Sequence, residues 1–113
     1  MDMVQMTEWL LGHVNETLLI RKEENGDTDQ VMLKLQKVAY GTGGPDSDDF
    51  VNDDRIILHG EGTITVDGGS GAAELPRGSY EIALAGNIRG SVQNHELHIQ
   101  TERATYRVGA IRH

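Results

Sequence analysis

The stretch IILHGEGTITV, residues 56–66, decides the fold. Ile56, Leu58, Ile64 and Val66 share one parity with Gly60 and Gly62, while Ile57, His59, Glu61, Thr63 and Thr65, mostly polar, hold the other. A period of two marks a strand with one face on a core and one in water. The run is about twice the usual strand length of roughly 5–6 residues. Its glycines lie on the apolar parity, where a missing side chain lets a sheet coil or turn a corner. A second run, YEIALAGNIRGSV at 80–92, repeats the pattern with Tyr80, Ile82, Leu84, Ile88 and Val92 on one parity and Gly86 and Gly90 between them. Each run reads as one long strand bent at its glycines.

Shorter strands surround these two. Residues 17–23 and 30–40 flank ENGDTD, whose Asn25-Gly26 is a hairpin signal because both positions accept the left-handed backbone of a tight turn. Leu97 and Ile99, then Ala104, Tyr106 and Val108, alternate with polar neighbours. Turns at Gln93-Asn94 and Glu102-Arg103 make residues 79–111 a three-strand meander. The start supports two readings. Met3, Met6, Leu10 and Val14 have helical spacing, with Asp2 as N-cap, Gln5 in the capping-box position and Gly12 as stop. Trp9, Leu11 and His13 alternate as a strand would. The expectation is one all-β domain over 1–113, a small antiparallel β-barrel or sandwich of about six strands. Residues 1–14 form a helical or strand cap, and 41–54 an acidic loop.

Composition agrees with one modest core. Leu, Ile, Val and Phe number 27 of 113, about a quarter, above the roughly 20% below which chains stay disordered. With no cysteine, disulfides, thiolate metal sites and cysteine nucleophiles are excluded. Neither a signal peptide nor a membrane span is visible, so the expectation is a cytoplasmic protein without membrane contact; an exported domain lacking its leader reads the same. The net charge is −8. Residues 1–55 carry 5 basic and 12 acidic side chains, whereas 56–113 carry 5 and 6. An acidic surface repels phosphate backbones and argues against nucleic acid.

Most of that acidity sits in GTGGPDSDDFVNDD, residues 41–54. Clustered carboxylates suit a hard cation, yet an EF-hand register from Asp46 places Phe50, Val51 and Ile57 where a ligand, glycine and glutamate belong. A looser calcium site from Asp46, Asp48, Asp49 and Asp53 stands as the alternative to a solvated loop. Phe50 and Val51 suggest an anchor on a core or a partner. Gly41-Thr42-Gly43-Gly44 fails as a phosphate loop, because Asp46 replaces the last glycine and carboxylates oppose phosphate. Gly68-Gly69-Ser70-Gly71-Ala72 lacks the final glycine and the helix of a nucleophile elbow.

His95 and His98, three apart on a strand, point to opposite faces. His59 and His98 share the outward parity, near Glu61 and Glu96, and would form a metal or acid–base site only if their strands paired. Arg89 and Arg107 also point outward. The acidic loop, through Asp46, Asp48, Asp49 and Phe50, is expected to dock on this cationic face, within the domain or on a neighbouring copy. No cofactor is implied. The leading functional expectation is a non-catalytic binding or assembly module working through protein contacts or self-association. The alternatives are a small-ligand carrier using space left by Gly60, Gly62, Gly86 and Gly90, and a hydrolase or isomerase built on His59, His98 and Glu61.

Overall fold

The computed structural model describes residues 2–41, 54–66, 73–84 and 86–111. The chain opens with helix α1 (Met3–Leu11), and the helical reading of the start holds. Asp2 accepts from the Gln5 backbone N–H at 2.9 Å, and the Gln5 side chain accepts from the Asp2 N–H at 2.9 Å, which closes a capping box. Met6 and Leu10, one turn apart, are fully buried, and Val14 packs against the same core.

Among the described residues eight antiparallel strands follow: β1 (Thr17–Glu24), β2 (Asp27–Gly41), β3 (Arg55–Val66), β4 (Ala73–Glu74), β5 (Ser79–Ala83), β6 (Arg89–Gln93), β7 (Glu96–Gln100) and β8 (Thr105–Ile111). All belong to one sheet in the order β4-β3-β2-β1-β8-β7-β6, with β5 beside β3. Asn25 and Gly26 turn β1 into β2 with φ of 52° and 85°, as the hairpin signal predicted. Asn94 and His95 turn β6 into β7 with φ of 53° and 66°, one residue later than the expected Gln93-Asn94. The turn into β8 is held by buried Thr101, whose Oγ1 donates to the Ala104 carbonyl and accepts from the N–H groups of Arg103 and Ala104.

β3 is one strand of 12 residues, but the second long run is not. It divides into β5 and β6, which lie on opposite edges of the sheet. The break falls at Gly86, whose φ of +71° no regular strand residue adopts and whose missing Cβ leaves room for the Glu102 side chain. Alternation runs across the break because both pieces turn the same parity inward. β4 and β5 in turn behave as one strand along β3, interrupted at the 3-10 turn Pro76–Gly78, where Arg77 and Gly78 have φ of 56° and 59°.

The sheet must curl. Between β5 and β6 lie six strand spacings, about 29 Å if flat, whereas the connection from Ala83 to Arg89 reaches only about 20 Å. The curl brings Leu18, Ile20, Val31, Leu33, Leu35, Ile56, Leu58, Ile82, Leu97, Ile99, Tyr106 and Val108 into one buried cluster with the helix. Each fully buried aliphatic side chain contributes about 1.5–3 kcal/mol. Among the described residues β5 and β6 do not pair, so the sheet is curled and open rather than a closed barrel. No described helix is long and apolar enough to cross a membrane.

β2 and β3 run side by side as paired neighbours, and their backbones approach closely at two glycines. A Cβ on Gly60 would stand 1.9 Å from the Lys34 carbonyl oxygen, and one on Gly62 would stand 2.0 Å from that of Met32. The register slips by one residue between Leu35 and Lys37, a bulge that adds to the bend. These two glycines therefore admit the neighbouring backbone and do not leave interior space for a ligand. Gly60→Ala and Gly62→Ala are each expected to cost about 3 kcal/mol or more, since backbone rather than a flexible side chain must move. Urea denaturation measures this, with the Gly26→Ala turn variant as a milder comparison.

Candidate functional site

The inward parity closes the two ends of the curled sheet differently. At the β1–β2 turn, Lys22, Glu24 and Asp29 are half-buried; Lys22 stands opposite both Asp29 and Tyr106. Lys22 Nζ reaches Glu24 Oε1 at 3.6 Å and lies 5.9 Å from the centre of the Tyr106 ring. This end is a polar lid over two tyrosines. The other end is covered by α1.

Two surface features meet at α1. On one side is a cleft of about 410 Å³ lined by Trp9, His13, Val92, His95 and Ala110. The Trp9 and His13 rings are 4.2 Å apart, and His13 Nδ1 is 3.0 Å from Glu16 Oε2, which orients the imidazole. His95 enters from the left-handed turn. On the other side, Val4, Leu11 and Tyr40 form an apolar patch with Thr7 and Glu8 at its border. Their exposures, 63%, 50% and 47%, place them among the most exposed large apolar residues described. Val4 and Leu11 are seven apart, two turns along one helix face, opposite the buried Met6–Leu10 stripe. Tyr40 is the last residue but one of β2, just before the acidic segment in the sequence.

The convex face of the sheet carries the arginines. Arg107 on β8 stands directly opposite Arg21 on β1 and, on its other flank, opposite His98 on β7. Arg89 on β6 pairs with Gln100, which pairs with Thr105. Arg89 and Arg107 thus share the outward face, as expected, though with β7 between them. Sequence reading missed Arg21. Its outward parity was legible, but the pairing of the first strand with the last was not. Asp46, Asp48, Asp49, Phe50 and Asp53 lie outside the described residues.

The histidine site requires correction. His59 sits on β3, paired with Lys37 and Ser79, and three strands separate it from His98 on β7. Parity put both on the outer face without making them neighbours. His98 instead approaches Glu96, with Nε2 and Oε1 3.8 Å apart. Among the described residues no group of three His, Asp or Glu side chains is placed to hold a metal ion. The acid–base reading built on His59, His98 and Glu61 therefore has no geometry behind it.

The chain belongs to the YmzB-like protein family, whose model matches residues 1–112. It is 40% identical over 111 residues to "Uncharacterized protein YmzB" of Bacillus subtilis (strain 168), an alignment covering 92% of this chain and 91% of the relative. No solved structure matches.

All three tyrosines ionise above their ordinary value. Hydrogen bonding toward the Asp54 carboxylate, then burial, raises Tyr40; burial above all raises Tyr80 and Tyr106. A raised phenol is held neutral by the fold, so its contribution to stability is complete below the unfolded value of about 10. That contribution is lost as pH climbs through the higher folded values. The melting temperature is therefore expected to fall from about pH 10 upward, with the tyrosinate absorbance of Tyr80 and Tyr106 appearing together with unfolding, whereas exposed Tyr40 ionises ahead of it. A melting temperature that stays flat through this range would contradict the assignment.

Proposed function

We propose that this chain is a non-catalytic binding or assembly module acting through protein contacts. The observation that carries the reading is the exposed apolar face of α1 with Tyr40. A helix of nine residues that buries Met6 and Leu10 has met its structural need with one face. Val4 and Leu11 on the outer face are exposed at a cost that a contact surface would offset. The acidic segment that follows Tyr40 in the sequence carries Phe50 and Val51 among its aspartates, and such charged and apolar groups suit a contact with a partner. Neighbouring backbone fills the space at Gly60 and Gly62, two of the four glycines on which the carrier alternative relied, and this favours the contact reading over a carrier.

A second reading, a small-ligand site, is favoured by the Trp9–His13–His95 cleft, whose tilted Trp9–His13 pair and oriented imidazole suit a planar polar molecule. Its simplest check is Trp9 fluorescence across a panel of aromatic acids and bases; saturable quenching abolished by His95→Ala supports the cleft, and a flat response removes it.

The leading reading predicts that Val4→Asp with Leu11→Asp leaves stability within about 0.5 kcal/mol, because both side chains are exposed. The same double variant is expected to weaken self-association, or capture of a crosslinked partner, by roughly tenfold or more. Sedimentation velocity and crosslinking in producing cells supply the measurement. Wild-type protein that neither associates nor is crosslinked through this face would sink the proposal.

A further inference from the structure

We propose that Arg21 and Arg107 form a carboxylate-binding strip on the convex face of the sheet, and that its occupant is the aspartate-rich stretch 46–54 of a second copy of this chain. The inference goes beyond the contact face on α1, and shares with it only the premise that the chain works through protein contacts.

The argument starts from the register. Arg21 and Arg107 are directly opposite across β1 and β8. Residues so placed have Cβ atoms about 4.5–5.5 Å apart, and like charges at that distance destabilise a sheet. Neither guanidinium forms an ion pair with any carboxylate among the described residues. Both are exposed, so the repulsion is carried in the free chain without burial to explain it.

The surroundings suit an anion. A depression of about 260 Å³ is lined by Arg21, Arg107, Gln30, Thr28, Thr105 and Glu23. Two guanidinium forks, an amide and two hydroxyls offer donors in a shallow basin, and His98 extends the row beyond Arg107. Glu23, the acidic member, lies two residues along from Arg21 on the same face and pairs with neither arginine. A guanidinium grips a carboxylate through two parallel hydrogen bonds, and a carboxylate between two of them turns repulsion into attraction.

The occupant is chosen by charge complementarity. Asp46, Asp48, Asp49, Asp53 and Asp54 fall within nine residues and supply five of the chain's 18 acidic groups. Single exposed ion pairs are weak. A stretch with several carboxylates engages both arginines at once, and in a dimer it does so twice.

Sedimentation velocity with the full chain at about 20 mM and about 500 mM salt tests this. Wild type should associate at low salt and dissociate at high salt. Arg21→Glu with Arg107→Glu should weaken association roughly tenfold or more with little change in melting temperature, since both positions are exposed and one like-charge pair replaces another. Asp46→Lys, Asp48→Lys and Asp49→Lys should do the same. An equimolar mixture of the two variants should recover a heterodimer, a result that misfolding of either cannot produce. A wild-type monomer at low salt overturns the proposal, as does salt-sensitive association unaffected by the arginine variant. So does a mixture that stays monomeric. Because Val4 and Leu11 are untouched, failure here leaves the α1 contact face standing, and failure of that face leaves the strip to be judged by its own exchange of charge.

Discussion

The close pairing of β2 with β3 at Gly60 and Gly62 sets the shape from which everything else follows. Backbone oxygens of Lys34 and Met32 occupy the space that side chains at 60 and 62 would need, so the long hairpin coils instead of lying flat. Coiling at this point, aided by the bulge after Leu35, carries the far edge of the sheet round toward β6. Only then is the short connection through Gly86 long enough. The helix fits over the end that the curl creates, burying Met6 and Leu10 against strands that a flat sheet would have placed out of reach.

Local chemistry made much of this readable from residue order. The capping box at Asp2 and Gln5, the Asn25-Gly26 turn, and the alternation in β2, β3, β7 and β8 each depend on neighbours within a few positions. What escaped was long-range or masked by periodicity. The division of 80–92 was hidden because Ile82, Leu84 and Ile88 keep the same parity on both sides of a left-handed glycine. The bulge at Gln36 leaves no compositional trace. Outward parity grouped His59 with His98, but strand order, which alternation does not encode, separated them. The same ignorance of strand order concealed Arg21 behind Arg107.

The two faces of the molecule therefore differ in how they relate to the fold. The apolar patch beside Tyr40 is local: it follows from one short helix with hydrophobic residues on both sides. The arginine pair is a product of topology, since no feature of residues 17–24 alone or 105–111 alone brings like charges together. Between them the interior is filled by aliphatic side chains and two tyrosines held neutral by burial.

The pairing of β1 with β8 carries a kinetic meaning as well. Thr17 and Ile111 are partners although almost the whole chain separates them. On a ribosome, β1 and β2 can zip at their Asn-Gly turn within microseconds, and β3 can add to them. The other edge of β1 stays open until the final strand emerges. Closing so large a loop is entropically costly and slow. Until it closes, Leu18 and Ile20 belong to a half-built core beside an unpaired edge, and the nascent protein is most vulnerable to aggregation in the interval before β8 emerges.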